Sequence, residues 1–325
     1  MGDPARREAA YALVAAAVRA PSSHNTQPWA FRRGAGALLL YADRSRGLPA
    51  NDPLGRELHI SCGAALLNLR LAAAHHELTA DVETLPDPAD PGLLARVTLT
   101  PGAGPPPAEE ERLHAEIGRR RTVRSRFAAR PVAAPALDRA ARAAGREGAR
   151  LFLLPPGPAR RSAAAAVREG ARRQFGDRAW RRELASWIQP PSAGEGLTVP
   201  ARAAPAARAL IRAANLGRAA GRHDARLLLA APAAAVLATE EDGRAAWLAA
   251  GQALQRALLS LAADGLAAGF VNQPCQVGPP LRGRIRDAAR GGAEGAHPQL
   301  LFRVGHPAAR PADSPRRLVA DVLLP

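Results

Sequence analysis

The chain contains no lysine, and all 45 of its basic residues are arginine. This absence excludes three kinds of site: the phosphate loop that ends in Gly-Lys-Ser/Thr, the Schiff base to pyridoxal phosphate or a carbonyl substrate, and the kinase active site. Because arginine takes the place of lysine throughout the 325 residues, we interpret the absence of lysine first as a composition bias and not as evidence of function.

Cysteine is also scarce, since only Cys62 and Cys275 occur and they lie far apart in the sequence. They form neither a disulfide framework nor the paired cysteines of a zinc site, and a reducing cytoplasm is the expected compartment. His59, His75 and His76 add an HxxC pattern followed by a histidine pair. That arrangement matches no standard metal-ligand spacing, so no metal site is predicted.

The sequence has no long hydrophobic run. The longest, LLLAAPAAAVLA at residues 227–238, contains Pro232 and falls short of the ~20 residues that a membrane-spanning helix needs. We predict that it is a buried strand. The apolar stretch YALVAAAV near the start leads directly into a polar loop with no room for a signal-sequence spacer. An amphipathic helix is therefore predicted there, and no membrane partner.

Aromatic residues make up only 4% of the chain, although 47% is hydrophobic. Much of that hydrophobic fraction is alanine, which predicts helices packed through Ala and Leu. The arginines of residues 112–182 recur at helical spacing with alanine between them, as on a solvated helix face. Few aromatic residues stand among them to stack on bases, so we expect no nucleic-acid partner.

The proline-rich segment PGAGPPPA at residues 101–108 is the clearest linker in the chain. It divides the sequence into two predicted halves, residues 1–105 and 106–325. The main predicted elements are helices at 4–20, 51–76 and 243–268 and strands at 29–33, 226–238 and 298–305.

A faint internal repeat relates the two halves. GAALLNLRLAAA at 63–74 aligns with GQALQRALLSLA at 251–262, with five identities in twelve positions. Alanine and leucine are common here, so the match is suggestive only. If the repeat is real, the long helices that carry these segments face each other at the centre of a chain built from two related halves.

Two segments have the composition of functional loops. PSSHNTQPW at 21–29 places hydroxyl, imidazole and carboxamide groups in a row, which is more than a plain turn requires and favours a polar ligand. The alternative for it is a helix-ending turn capped by Ser22 or Ser23. QPPSAGEGLTVPARAAP at 189–205 is long for a loop inside a domain and is a candidate lid.

Together these features resemble the FMN-dependent nitroreductases and, within that family, the Acg branch. The motifs span the chain: APSSHNTQPW, GAALLNLRL, RRTVR with Phe127 after it, ELASW, QALQRALL, NQP, PQLLFRVG and SPRR. The resemblance implies an α+β fold, with a mixed central sheet wrapped by helices and two related halves fused into a pseudo-dimer.

In ordinary nitroreductases the arginine cluster precedes the loop, and two identical chains share each flavin site. Here the order is reversed, and the two motifs lie on either side of the linker. The resemblance therefore implies that one chain, as a monomer or in a homodimer, supplies both sides of one FMN site.

The resemblance also implies which residues bind FMN. Its phosphate suits forked, charge-assisted donors, and its ribityl chain and pyrimidine edge suit groups that both donate and accept hydrogen bonds. The predicted residues are Arg120, Arg121, Thr122, Arg124, Arg316 and Arg317 at the phosphate, Ser22, Ser23, Asn25 and Gln27 at the ribityl and pyrimidine side, and Asn272, Gln273 and Pro274 near flavin N5.

The activity implied is NAD(P)H-dependent reduction of a nitroaromatic, a quinone or a similar small electron acceptor by hydride transfer at flavin N5. No catalytic side chain is predicted, because the flavin is the reactive centre. In keeping with this, the sequence offers no paired carboxylates, GxSxG, HExxH or GxGxxG in a credible context. The alternative is FMN storage or sequestration without turnover, since the lid of the Acg branch can cover the flavin.

Overall fold

The computed structural model describes residues 4–34, 36–289 and 295–324. Within these ranges the chain forms eleven α-helices and eleven β-strands. The helices are α1 (Pro4–Ala17), α2 (Arg56–His75), α3 (Ala108–Glu116), α4 (Ala134–Gly145), α5 (Pro158–Gly176), α6 (Arg178–Ser186), α7 (Ala204–Ala213), α8 (Gly217–Leu229), α9 (Arg244–Ala263), α10 (Gln273–Val277) and α11 (Pro279–Ala288). The strands are β1 (Trp29–Arg33), β2 (Ala37–Ala42), β3 (Leu78–Thr84), β4 (Leu93–Pro101), β5 (Arg150–Leu153), β6 (Ile188–Gln189), β7 (Leu197–Thr198), β8 (Ala233–Thr239), β9 (Ala267–Phe270), β10 (His297–Gly305) and β11 (Leu323–Leu324).

The strands form two main sheets and one small pair. The first sheet has the order β11-β1-β2-β4-β3 and is mixed, because β1 runs parallel to β11 and antiparallel to β2. The second has the order β5-β8-β10-β9 and is antiparallel throughout. The two-residue strands β6 and β7 pair in parallel. The predicted α+β fold, with a mixed sheet wrapped by helices, is confirmed.

Each main sheet carries its own apolar cluster. On the first sheet, Trp29 and Phe31 of β1 are fully buried against α1 and α2. On the second, α4 and α9 pack against β8 and β10, with Phe302 fully buried. α2 and α9 also pack closely against each other. The two long helices singled out by the repeat therefore do face each other.

The end of the chain returns to the first half of the molecule. Phe31 of β1 pairs with Leu323 of β11, so two residues of the predicted second half complete the sheet of the first. The tail that carries Arg316 and Arg317 consequently runs beside the loop at residues 21–29, where the Asn25 side-chain amide donates to the carbonyl of Pro315 (3.1 Å).

One predicted strand is wrong in its first part. Residues 226–229 end α8, and β8 begins only at Ala233, after Pro232. Leu227 and Leu228 are buried as part of the apolar face of α8, which they share with Ala225. A short apolar run fits a buried helix end as well as a buried strand, so its composition alone could not separate the two.

Two predicted helix boundaries are also corrected. α2 begins at Arg56 and not at Asn51, because residues up to Gly55 form turns in which the Asp52 carboxylate accepts a hydrogen bond from the amide of Leu58 (2.9 Å). α9 ends at Ala263 and not near Ala268, because Gly265 takes a left-handed φ of 71° and stops the helix. Among the described helices, none has both the length and the apolar character needed to cross a membrane.

Candidate functional site

The polar loop at residues 21–29 has an unusual backbone. His24, Asn25 and Gln27 take left-handed φ angles of 50°, 56° and 53°. Each such conformation costs on the order of 1–3 kcal/mol in a residue other than glycine, and it persists where the surrounding structure enforces it, often at functional sites. Here the Ser22 hydroxyl accepts a hydrogen bond from the Gln27 amide (3.0 Å) and closes the loop on itself.

This loop forms one wall of a cavity of about 450 Å³. The other walls come from the start of α2, the arginine segment at 119–126, the facing sides of α5, α6 and α8, and the chain around β9 and α10. Most of the predicted site residues line this cavity, although they are distant in sequence: Ser22, Ser23, Asn25, Arg120, Arg121, Thr122, Arg124, Asn272, Gln273 and Arg316.

Glu57, in the first turn of α2, binds several of the polar side chains that line the cavity, which together are called the polar wall. Its buried carboxylate accepts hydrogen bonds from the side-chain amides of Asn272 (2.6 Å) and Gln276 (2.9 Å). It also accepts a hydrogen bond from the Ser23 hydroxyl and pairs with Arg56 (3.3 Å). Glu57 thus fixes the orientation of two predicted site residues. Sequence analysis did not predict Glu57 as a site residue, because an acidic residue in the first turn of a helix is common.

A second part of the cavity wall is cationic. Arg19, Arg120, Arg121, Arg124 and Arg316 all line the cavity. Burial and the neighbouring guanidinium groups lower the pKa of Arg120 to about 10 and that of Arg316 to about 9. The Nε atoms of both side chains are buried and have no hydrogen-bond partner among the described residues. An anion would relieve this repulsion and supply the missing acceptors.

The arginine segment is held in place by the second sheet. The Val123 amide donates to the carbonyl of Ala268 in β9 (2.8 Å). Arg303 of β10 reaches across and donates to the carbonyls of Val123 (3.0 Å) and Ser125 (3.1 Å). Gly269 allows this close approach, because a Cβ at that position would collide with the Val123 carbonyl and the Arg303 guanidinium. Arg120, Thr122 and Arg124 therefore project into the cavity from a backbone anchored on a rigid sheet.

The two arginines of the SPRR tail diverge. Arg316 lines the cavity and donates from Nη1 to the Asn25 side-chain oxygen (3.2 Å) and from Nη2 to the carbonyls of Arg19 (3.2 Å) and Ala20 (3.1 Å). Arg317 turns away from the cavity and donates from Nη2 to the carbonyl of Asp321 (2.7 Å).

Gln27 lies behind the cavity wall. Its fully buried side chain donates to the carbonyl of Gly194 (2.8 Å) and accepts a hydrogen bond from the backbone amide of Arg317 (2.9 Å). The amide group therefore ties the loop to both the candidate lid and the tail. Gln27, Arg317 and the buried Pro274 are the three predicted site residues that do not line the cavity.

Two amides reach the cavity from the chain around α10. Both ends of the Asn272 side-chain amide are hydrogen-bonded within the protein: the oxygen accepts from the Leu301 amide (2.9 Å), and the nitrogen donates to Glu57. Gln273 donates to the carboxylate of Asp224 (2.6 Å), and its buried Oε1 has no partner among the described residues. Burial raises the pKa of Asp224 above its usual range.

An apolar wall, which sequence analysis did not predict, completes the cavity. It includes Ile60, Phe175, Trp180, Leu184, Leu197, Leu227, Phe270 and Leu300. Trp180 is anchored by a hydrogen bond from its indole nitrogen to Asn51 (2.9 Å). Glu183, in the ELASW motif, accepts hydrogen bonds from the amides of Ala50 (2.8 Å) and Asn51 (2.9 Å) and so fixes α6 against the turn before α2.

The candidate lid at 189–205 is docked on the polar loop. The Gly196 amide donates to the carbonyl of Asn25 (3.2 Å), and Gln27 holds Gly194 as described above. Glu195 pairs with Arg46, which also donates to the carbonyl of Thr26 (2.5 Å). Leu197 lines the cavity, so this segment closes one side of it.

His24, in the polar loop, also lines the cavity. Burial lowers its pKa to about 4, so the imidazole is neutral near pH 7. Its buried Nδ1 has no hydrogen-bond partner in the described part of the chain. A neutral imidazole in this position can donate or accept a hydrogen bond but carries no charge.

No family model matches the chain. Three relatives from Mycobacterium tuberculosis (strain ATCC 25618 / H37Rv) are similar to it in sequence. "Putative NAD(P)H nitroreductase Rv3131" is 34% identical over 304 residues, which cover 90% of this chain and 83% of the relative. "Uncharacterized protein Rv3127" is 31% identical over 325 residues, with 95% and 91% covered. "Putative NAD(P)H nitroreductase acg" is 42% identical over 119 residues, with 36% and 35% covered.

Solved nitroreductase structures overlap with part of the chain. The FMN and NADPH-dependent nitroreductase NfnB from Sphigopyxis sp. strain HMH is 23% identical with a TM-score of 0.44, covering 66% of this chain and 97% of its own. A "putative nitroreductase in complex with fmn" from Desulfovibrio desulfuricans is 16% identical with a TM-score of 0.39, covering 66% of this chain and 95% of its own. The family assignment rests on the sequence relatives and not on these overlaps. On the 34% identity that extends over 90% of its length, this chain belongs to the NAD(P)H nitroreductase family, in the branch that includes Acg, as the sequence motifs predicted.

Proposed function

We propose that the cavity binds FMN and that the protein is an NAD(P)H-dependent oxidoreductase acting on a small electron acceptor such as a nitroaromatic or a quinone. The observation that carries the proposal is the convergence of a polar loop and a buried arginine cluster on one cavity of about 450 Å³. That volume lies within the range of ~300–1,000 Å³ usual for sites of small ligands and cofactors.

The cationic wall fits the phosphate. Arg120 and Arg316 each have a buried Nε without a hydrogen-bond partner among the described residues, and burial together with the neighbouring arginines lowers the pKa of both side chains. A phosphate dianion would accept from these groups and restore favourable charge balance in a setting where burial strengthens each interaction. Arg121, Arg124 and the Thr122 hydroxyl are the further donors in this wall.

The remaining walls fit the uncharged parts of FMN. Ser22, Ser23 and Asn25 present hydroxyl and amide groups that suit the ribityl chain and the pyrimidine edge. The apolar side chains across the cavity suit the rings. Asn272 and Gln273 would lie on the flavin N5 side. Asn272 is held by its hydrogen bond to Glu57, and Gln273 Oε1 has no hydrogen-bond partner among the described residues.

When bound, FMN would supply the redox chemistry that links oxidation of NAD(P)H to reduction of the small acceptor. The residues of the chain would bind and orient the FMN. The neutral His24 adds no positive charge to the polar loop. Both walls come from one chain, so the proposed site needs no second copy.

The docked lid favours a second candidate function, FMN storage or sequestration. Gly194 and Gly196 contact the polar loop, Glu195 pairs with Arg46, and these contacts hold in place the segment from which Leu197 lines the cavity. A lid that stays closed would retain the flavin and block the approach of NAD(P)H and the acceptor.

Two measurements separate the possibilities. An absorption spectrum of the purified protein, before and after incubation with FMN and desalting, tests binding; a colourless protein that takes up no FMN would overturn both functions. Steady-state oxidation of NADH or NADPH by the FMN-loaded protein, with a nitroaromatic or quinone acceptor, then tests turnover. Bound flavin with turnover supports the oxidoreductase, and bound flavin without turnover supports storage.

A further inference from the structure

A second group of chemically active side chains lies away from the cavity. His75 is the last residue of α2, and Glu111 and His114 lie three residues apart on α3. Residues at that spacing share one face of a helix. His75 Nδ1 is 2.9 Å from both carboxylate oxygens of Glu111, and the imidazoles of His75 and His114 stack with centroids 4.0 Å apart. One nitrogen or oxygen atom from each residue lies within 4.8 Å of the others.

We propose that His75, Glu111 and His114 form a binding site for one divalent transition-metal cation of the zinc class. Two imidazoles and one carboxylate are a donor set that Zn²⁺ and its neighbours Co²⁺ and Ni²⁺ accept, with bonds of about 2.0–2.2 Å. Donor atoms around a tetrahedral ion with such bonds lie about 3.4 Å apart, so the side chains, whose donor atoms lie within 4.8 Å of one another, would rotate to close around the ion.

The exposure of the group suits an open site. The side chains of His75 and Glu111 are 41% and 47% exposed, so they are free to adjust and water has access to the remaining coordination positions. A hydrogen bond between His75 and Glu111 alone would need no second imidazole. His114 distinguishes this cluster from an ordinary surface ion pair. Its imidazole stacks on that of His75, and its donor atom lies within 4.8 Å of those of His75 and Glu111.

The cation would join two segments across the proline-rich linker. α2 belongs to residues 1–105 and α3 to residues 106–325, and they already pack through Leu67 and Leu71 against Leu113 and Ile117. Ile117 also lines the cavity, immediately before the arginine segment. A metal at the exposed end of this contact would therefore strengthen the attachment of α3, which leads into the cationic wall.

The test uses the full chain with any affinity tag removed and does not depend on flavin or on activity. Titration with Zn²⁺, followed by calorimetry, is expected to show one saturable site, and Mg²⁺ is expected to give none because it prefers oxygen ligands. Substitution of a ligand, His75→Ala or His114→Ala, is expected to weaken Zn²⁺ binding about tenfold or more. His223→Ala, which changes an exposed histidine on α8, is the matched control and should leave affinity unchanged.

Two further readouts keep the outcome decisive. Co²⁺ bound through imidazole gives visible d–d absorption bands, which the His75 and His114 variants should lose. Zn²⁺ should raise the melting temperature of the wild type by several degrees and that of either variant by much less. Absence of saturable Zn²⁺, Co²⁺ and Ni²⁺ binding, or binding that both variants retain in full while still folded by circular dichroism, overturns the proposal.

Discussion

Gly63 of α2 and Gly251 of α9 lie against each other where the two long helices cross. A Cβ placed on Gly63 would be 3.0 Å from the Cα of Gly251 and closer still to the carbonyl oxygen of Leu248. A Cβ on Gly251 would collide in the same way with the carbonyl of Ile60. Each glycine thus faces the residue that lies three positions before the other, and this reciprocity is what a two-fold axis between related halves produces.

We expect Gly63→Ala and Gly251→Ala to be strongly destabilising, because the atoms in the way belong to the backbone of the opposite helix and cannot rotate aside. Overpacking of this kind typically costs about 1–3 kcal/mol, and either substitution would force the helices apart along their whole contact. Chemical denaturation, followed by circular dichroism, measures the change in the free energy of unfolding.

Gly145→Ala is the control for this prediction. Gly145 ends α4, is exposed, and has no atom near the position of a new Cβ. Alanine there should be neutral or stabilise by about 0.5–1 kcal/mol, since it is the better helix former. Equal effects of Gly145→Ala and Gly63→Ala would contradict the close crossing of α2 and α9.

The sequence predicted this crossing and the residues of the cavity better than it predicted element boundaries. The internal repeat that aligns Gly63 with Gly251 can be found by comparing the sequence with itself. The polar loop at 21–29 can be found from its unusual composition. The end of α8 at Leu229 could not be separated from β8, because both are buried and apolar. Whether a run of leucines forms a helix or a strand is decided here by tertiary packing.

Some features of the site had no clear signal in the sequence. Glu57 looks like any acidic residue in the first turn of a helix, and only the fold brings Ser23, Asn272 and Gln276 to its carboxylate. The sequence also could not predict which way the Gln27 side chain points, because three residues with left-handed backbone angles determine which side chains of the loop face the cavity. Its assignment to the ribityl side of FMN stays a prediction, and the structure adds its contacts with Gly194 and Arg317.

Arg120→Ala is expected to weaken FMN binding by about 10- to 100-fold, the equivalent of one charge-assisted hydrogen bond of ~1.5–3 kcal/mol. Arg120 is buried, lines the cavity, and has an Nε without a hydrogen-bond partner among the described residues. Quenching of flavin fluorescence during titration measures the dissociation constant. The double variant Arg120→Ala/Arg121→Ala should bind more weakly still.

The neighbouring Arg119→Ala provides the matched control. The Arg119 side chain is 74% exposed and pairs with Glu116 at the surface, so its loss removes a positive charge from the same segment without changing the cavity. FMN affinity should stay within about twofold of the wild type, because exposed pairs contribute little. An Arg120→Ala protein that binds FMN as tightly as Arg119→Ala would place the phosphate elsewhere.

Glu195→Gln tests the lid. The substitution removes the ion pair with Arg46 but keeps the size of the side chain, so the lid should open more often while the rest of the cavity stays intact. Partly exposed pairs contribute about 0.2–1 kcal/mol, which corresponds to FMN release up to about fivefold faster. Stopped-flow dilution of the flavin-loaded protein measures that rate. Glu240→Gln, at an exposed position after β8, should release FMN at the wild-type rate, and a Glu195→Gln protein that does the same would rule out this pair as a latch.

His24 is expected to make the stability of the protein depend on pH. Burial lowers its pKa from 6.5 to about 4 in the folded state, so the unfolded chain takes up a proton near pH 6.5 while the folded chain does not. The free energy of unfolding should therefore fall as pH decreases from 6.5 to 4, and the loss from this group is complete below pH 4. His24→Asn removes the titrating group, and asparagine tolerates the left-handed backbone at this position.

Urea unfolding of both proteins at several pH values between 4 and 7.5 measures the effect as a difference. Burial and the nearby Glu57 raise the pKa of Asp52 to about 6, which gives a slope of opposite sign below pH 6. Asp52 is present in both proteins, so its contribution cancels in the comparison. The wild type should lose stability relative to His24→Asn as the solution is acidified, and the exposed His76→Asn variant should follow the wild type. Parallel pH profiles for wild type and His24→Asn would show that His24 is free to take up a proton in the folded protein.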